Sequence, residues 1–128
     1  MEPESRVDRL ARQVIGAAIE VHKALGPGYL ESVYEEALAL ELELQGVGCV
    51  RQAPIRIGYK GSIVGEGRLD LLVDERLVVE LKAVDNLLPI HQAQVLSYLK
   101  ATRHNLGLLI NFNVHVLRDG VKRIILTQ

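Results

Sequence analysis

Cysteine is nearly absent: Cys49 is alone among 128 residues, so neither an intramolecular disulfide framework nor a cysteine-based zinc site is available. No apolar run approaches the roughly 20 residues of a membrane-crossing helix, and no signal-peptide pattern is present. The expectation is a cytoplasmic protein with no membrane association. An excess of one charge is also missing, since 15 Lys and Arg face 16 Asp and Glu, and nothing announces a broad basic surface for nucleic acid. Low-complexity segments are lacking. Gly65-Glu66-Gly67 has no Lys-Ser/Thr ending of a phosphate-binding loop and reads as a place for strand bulges.

What is present is a composition of 48% hydrophobic and 24% charged residues, that of a folded globular protein. The length suits a single domain over residues 1–128, with disorder confined at most to the first few residues. Basic residues cluster in the last two thirds (Arg51, Arg56, Lys60, Arg68, Lys100, Arg103, Lys122, Arg123), whereas Glu31, Glu35, Glu36, Glu41 and Glu43 crowd the first half. A local basic patch could therefore still meet nucleic acid.

Hydrophobic spacing orders the chain. Val7, Leu10, Ala11, Val14, Ala18, Val21 and Leu25 recur every three or four residues, the pattern of an amphipathic helix stopped by Gly26-Pro27-Gly28. A second helix is predicted from about Leu30 to Gln45, with Leu30, Val33, Tyr34, Ala37, Leu38 and Leu42 as its apolar face and Gly46 as its stop. Strands are predicted over Val50 to Tyr59, Ile63 to Val73 and Leu77 to Val84, in meander order. Pro89 opens a third helix that runs to about Thr102 and buries Ala93, Leu96, Leu99 and the side of Tyr98. Leu106 to Asn111 is a strand, Arg118-Asp119-Gly120 a turn, and Val121 to Leu126 the last strand. The fold class is α/β with a mixed sheet of about five strands flanked by helices.

Chemistry concentrates in Gly67-Arg68-Leu69-Asp70-Leu71-Leu72-Val73 and Leu77-Val78-Val79-Glu80-Leu81-Lys82. A turn symmetric about Glu75 would set Asp70 opposite Glu80, with Cβ atoms about 4.5 to 5.5 Å apart, where like charges are destabilising. A bulge in the three-residue loop would slip that register by one. Glu80 and Lys82 share a face because side chains alternate along a strand. Two readings stand at this point. The carboxylates could hold a hard divalent cation, which takes oxygen ligands, with Lys82 orienting the attacking water or stabilising negative charge. Alternatively, Arg68 with Glu80 and Lys82 with Asp70 could form diagonal salt bridges. Leu69, Leu71, Val73, Val79 and Leu81 are expected on one face and Leu72 and Val78 on the other. A ribbon apolar on both faces is usually covered on both, where charges need partners or a metal.

This element order, with Asp on one strand and Glu-x-Lys on the next, resembles the PD-(D/E)XK nuclease superfamily and its restriction-endonuclease-like core. Gly28-Tyr29-Leu30-Glu31-Ser32-Val33-Tyr34 matches the signature of the GxxExxY protein family, and the likeness extends from about Val7 to Ile125. It takes in Gln52-Ala53-Pro54-Ile55, Ala93-Gln94-Val95-Leu96-Ser97-Tyr98-Leu99-Lys100 and Gly107-Leu108-Leu109-Ile110-Asn111-Phe112. The resemblance implies that Asp70 and Glu80 bind Mg2+ or Mn2+, that the Leu81 carbonyl is a further ligand, and that Lys82 is the catalytic lysine. Leu69 stands where the motif has proline. Gln94 and Tyr98 look like the Gln-x-x-x-Tyr helix motif of the RecB-like branch, or are a half-buried amide and phenol bonded between helices. Glu31 resembles the acid that completes the metal site there, or is an acid favoured by its helix N-terminus.

The remaining polar residues offer less. His91 shares a face with Gln94 and reads first as a polar helix-start residue, while His22, His104 and His115 have no ligand spacing and read as surface or packing. The implied activity is hydrolysis of nucleic-acid phosphodiester bonds, with DNA as the expected nucleic acid and a homodimer as one way for a compact domain to span a duplex. The competing readings are a non-catalytic nucleic-acid or protein-interaction module, and a structural dimer through the first helix.

Overall fold

The computed structural model describes residues 5–127; the expected disorder of the first residues falls on 1–4, outside them. Helix α1 (Arg6–Leu25) starts where the Ser5 hydroxyl accepts the Asp8 N–H at 3.1 Å and ends at Gly26, whose φ is 69°. Helix α2 (Glu31–Leu44) follows, then strands β1 (Cys49–Tyr59), β2 (Ser62–Val73) and β3 (Leu77–Lys82). Helix α3 (Pro89–Thr102), strand β4 (Leu106–Asn111), a 3-10 turn (Leu117–Gly120) and strand β5 (Val121–Ile125) complete the order.

One sheet runs β1-β2-β3-β4-β5, parallel between β3 and β4 and antiparallel elsewhere. The parallel pair needs a crossover, and α3 supplies it. One face packs Leu71, Val73, Val79, Leu81, Leu108 and Ile110 against α1 and α2. The other packs Val78, Leu109 and Ile124 against Val95 and Leu99 of α3. A Cβ on Gly107 would lie 2.9 Å from Val95 Cγ1, so this glycine lets α3 approach β4 closely. The middle of the sheet is apolar on both faces because both are covered.

The elements fall where the spacing puts them, with local differences. On α2 the core-facing residues are Tyr34, Leu38 and Leu42, while Leu30 and Val33 are exposed; the helix has two apolar stripes, and periodicity alone does not say which meets the core. On α3, Val95 and Leu99 are buried and Ala93 is exposed, so the stripe is rotated from the predicted one. Arg118-Asp119-Gly120 lies in the 3-10 turn. The β1–β2 register shifts between Ile57 and Gly58, beside Gly65, in line with a bulge there. Leu69 packs with the α3-side cluster, opposite to the face expected from Leu71 and Val73.

Candidate active site

The reversal at Leu69 marks the place where the sheet opens. Strands β2 and β3 pair at Val73–Leu77, Leu72–Val78 and Leu71–Val79, which is the register centred on Glu75, and the pairing stops there. Side chains take over from the ladder. The Asp70 N–H points at both Glu80 carboxylate oxygens at 3.4 Å, and the Leu81 N–H donates to Asp70 Oδ2 at 2.8 Å. On the β1 side, Arg51 pairs with Leu71 and Ala53 with Leu69, while Gln52, between them and opposite Asp70, has φ 50°. This left-handed residue is uncommon for a non-glycine. Its side chain is held by Glu35, whose Oε1 accepts from Gln52 Nε2 at 2.6 Å and whose Oε2 accepts from Arg51 Nη2 at 3.0 Å.

Asp70 and Glu80 thus meet where the strands part. Glu80 is 3% exposed. Burial first, then the hydrogen-bonded and charged Asp70 beside it, push its carboxyl up to about 10. Neither diagonal salt bridge forms: among the described residues the ion pairs involve none of Arg68, Asp70, Glu80 and Lys82. Glu31, at the first turn of α2, is drawn into the same field. Its pKa is raised by burial and by Asp70, and Lys82 pulls it down. Tyr98 reaches the cluster from α3, its pKa raised by burial and by Glu80, and Gln94 Nε2 donates to its hydroxyl at 3.3 Å. Asp70, Glu80, Lys82, Glu31, Tyr98 and Gln94 therefore gather at one opening of the sheet, from β2, β3, α2 and α3.

The donors fit a hard divalent cation. Buried Glu80 and half-buried Asp70, side by side, need a positive charge to ionise together, and among the described residues no side-chain cation bonds to either. The Leu81 carbonyl lies on the same side. A strand residue directs its N–H and C=O to one neighbour and the next residue to the other; Leu81 N–H meets Asp70, whereas Lys82 O accepts from Phe112 N at 2.9 Å on the β4 side. Among the described residues no three His, Cys, Asp or Glu side chains are grouped to hold a metal ion, so Glu31 does not join Asp70 and Glu80 in a preformed cage.

The histidines stay apart from this chemistry. His91 Nδ1 accepts the Leu88 N–H at 2.9 Å and serves the start of α3. His22 is buried with Nε2 at 2.7 Å from Val114 O, and His104 Nδ1 is 2.8 Å from Thr102 Oγ1.

Three groups have supporting roles that sequence reasoning did not assign. Tyr34 is fully buried, stacks on Phe112 with centroids 4.5 Å apart, donates to Gly26 O at 2.6 Å and accepts from Tyr29 N at 3.1 Å. It ties down the loop that delivers Glu31, and Gly28 in that loop has φ 110°, open to glycine. Asn111 is buried; its Nδ2 donates to Val84 O at 2.9 Å and its Oδ1 accepts Val84 N at 3.1 Å, anchoring the chain just past Lys82. Glu35 with Gln52 is the third. Their signal was weak: an aromatic three residues after Glu31, an Asn ending an apolar strand, and an acid one turn along a helix.

An α/β sheet of this order, opened at an Asp on one strand and Glu-x-Lys on the next, defines a restriction-endonuclease-like protein. The family model of the PD-(D/E)XK nuclease superfamily matches residues 8–124, and the chain belongs to that superfamily. No curated protein matches it. Nucleases of this superfamily generally use divalent metals, and the fold implies a nucleic-acid substrate. Among the described residues no helix is long and apolar enough to cross a membrane.

Proposed function

We propose that this chain is a metal-dependent nuclease acting as one domain over residues 1–128 in the cytoplasm, on DNA, and that it belongs to the GxxExxY branch. The observation that carries the reading is the pairing of Asp70 with buried Glu80 at the opened sheet, with no side-chain cation among the described residues bonded to either. Asp70, Glu80 and the Leu81 carbonyl would hold Mg2+ or Mn2+, and Glu31 would complete the set through water. When bound, such an ion neutralises a phosphoryl oxygen and lowers the pKa of a water.

The protein's own groups supply the rest. Lys82, on the face shared with Glu80, positions the attacking water and stabilises developing negative charge through its ammonium. The Gln94 amide and the Tyr98 hydroxyl, already bonded to each other, offer donors to a phosphate on the α3 side. Glu80 is buried in a low dielectric, which strengthens its interactions, whereas Asp70 is half-buried and Glu31 exposed.

The test is calorimetric titration of Mg2+ and Mn2+ into wild type and Asp70→Ala, with the same samples assayed on labelled single- and double-stranded DNA and RNA. Metal binding and cleavage lost together in the variant support the reading and name the substrate; an equally active variant overturns it. A second reading, a non-catalytic binding module, is favoured by the near-neutral charge, 15 Lys and Arg against 16 Asp and Glu. It predicts binding that weakens steeply with salt and no cleavage with either metal.

A further inference from the structure

Beyond the sheet opening, strands β1 and β2 continue as a two-stranded ribbon. They pair with each other as far as Tyr59 and Ser62, whereas β2 pairs with β3 only from Leu71 to Val73. From Asp70 back to Ser62 the ribbon runs about 30 Å, at roughly 3.4 Å per residue. One of its faces is closed, where Ala53, Ile55 and Leu69 pack with Val95 and Leu99 of α3. The other face is open. Glu35 of α2 grips Arg51 and Gln52 at the near end, and beyond them Pro54, Arg56, Glu66 and Arg68 are all exposed.

The charges on the ribbon are mostly of one sign. Between residues 50 and 69 stand Arg51, Arg56, Lys60 and Arg68, with Glu66 as the one acid. Arg51 is taken by Glu35 and Glu36. Among the described residues Arg56, Lys60 and Arg68 form no ion pair. Glu66 stands opposite Arg56 and Pro54 opposite Arg68, which sets the two arginines on a diagonal of the ladder, about 7 to 8 Å apart. Like charges focused on one open face raise the local concentration of anions, and the guanidinium fork matches phosphate oxygens. At the far end Lys60 Nζ lies 5.4 Å from the Tyr59 ring centroid, a contact that holds the ammonium at the turn.

We infer that the open face of the ribbon is the track along which the phosphate backbone of a bound nucleic acid leaves the sheet opening, held first by Arg68, then by Arg56 and last by Lys60. Continuity with the site selects this polyanion. Arg68 precedes Asp70 by two residues on β2, about 7 Å, so a nucleic-acid strand with one phosphate at Asp70 and Glu80 presents its next phosphates to the ribbon. The inference rests on nucleic acid as the ligand of that opening, and it requires neither metal nor cleavage.

The experiment measures, by fluorescence anisotropy in a chelator, binding of the full chain to a labelled DNA duplex of about 20 base pairs and to its single strand, at about 50 to 200 mM salt. Wild type is expected to bind with an affinity that falls steeply with salt. On the form it binds more tightly, Arg56→Ser, Lys60→Asn and Arg68→Ser together should weaken binding at least about tenfold at low salt. The slope of log K against log salt should flatten by roughly two to three, because each phosphate contact contributes about 0.7 to 0.9. Asparagine suits the left-handed φ of 48° at position 60. A control with Lys23→Ser, Lys100→Ser and Lys122→Ser makes the same change of net charge at exposed positions off the ribbon and should flatten the slope by less than about one. Glu66→Lys adds a cation to the open face and should steepen the slope by roughly one, a gain that does not depend on how the triple variant folds. Wild type that binds neither form, a slope unmoved by the triple variant and by Glu66→Lys, or a control that loses as much as the triple variant would each overturn the inference. Predicted slopes without cleavage in Mg2+ or Mn2+ would support the track and overturn only the nuclease reading; cleavage with slopes unmoved would do the reverse.

Discussion

The two ends of the β2–β3 ribbon obey opposite rules. Toward the turn, Val73 pairs with Leu77 and Leu72 with Val78, and the apolar residues are sealed between helices. Toward the other end the ladder stops after Leu71, and Asp70, Glu80 and the Leu81 amide exchange bonds through side chains instead. The closed end stabilises the protein by removing apolar surface from water. The open end gives up ladder bonds and buries a carboxyl, which is unfavourable for the metal-free fold. Stability and chemistry are thus divided along two strands only a few residues apart.

Breaking the closed end should have the largest effect on folding. Leu71 is fully buried beside the opening, and Leu71→Ala is expected to cost about 2 to 5 kcal/mol in denaturant unfolding. Asp70→Ala removes the acceptor of the Leu81 N–H but also the charge beside Glu80, so it should lower the midpoint of metal-free unfolding less than Leu71→Ala does while lowering metal-dependent cleavage by about a hundredfold or more. If both variants lost stability equally, the division between the ends would be wrong.

An intermediate effect is expected from the loop that delivers Glu31. Tyr34→Phe removes the hydroxyl that bonds Gly26 O and Tyr29 N. It should cost about 1 to 3 kcal/mol, seen as a lower melting temperature, and weaken metal binding less than Asp70→Ala does.

The pH response sharpens the contrast further. Glu80 is raised from 4.5 to about 10 in the folded protein. Folding of the metal-free chain therefore keeps a proton that the unfolded chain releases above its ordinary carboxylate pKa. The contribution is full below about 4.5 and is lost as pH rises toward about 10. Metal-free wild type should lose stability between pH 5 and pH 9 on the order of what linkage allows, and Glu80→Gln, which keeps an oxygen for the Asp70 N–H, should flatten that slope. Denaturant midpoints across the pH range check it, and an unchanged slope in the variant would rule Glu80 out as its source.

Much of this contrast was legible in advance. Turn length and the Leu and Val runs set the β2–β3 register, because a one-residue slip would turn the apolar residues out of the core. The Asp, Glu and Lys followed from that register. Leu69 was misplaced because alternation holds only while a strand remains paired, and the kink at Gln52 breaks it opposite Asp70. Helix α2 shows the same limit: Leu30, Val33, Tyr34, Leu38 and Leu42 all read as one apolar face, and of these Tyr34, Leu38 and Leu42 enter the core while Leu30 and Val33 stay exposed.

By itself the sequence determined the element order, the mixed sheet and the strand positions of Asp70, Glu80 and Lys82, since these depend on local spacing of apolar residues and turns. Only the tertiary structure decided which bonds those residues make. It parted the strands at Asp70, brought Glu31 and Tyr98 beside them from two helices, and left Arg68 and Lys82 out of the ion pairs among the described residues. The reason is physical: periodicity reports which way a side chain points, whereas burial and the charges around it depend on segments far away in the chain.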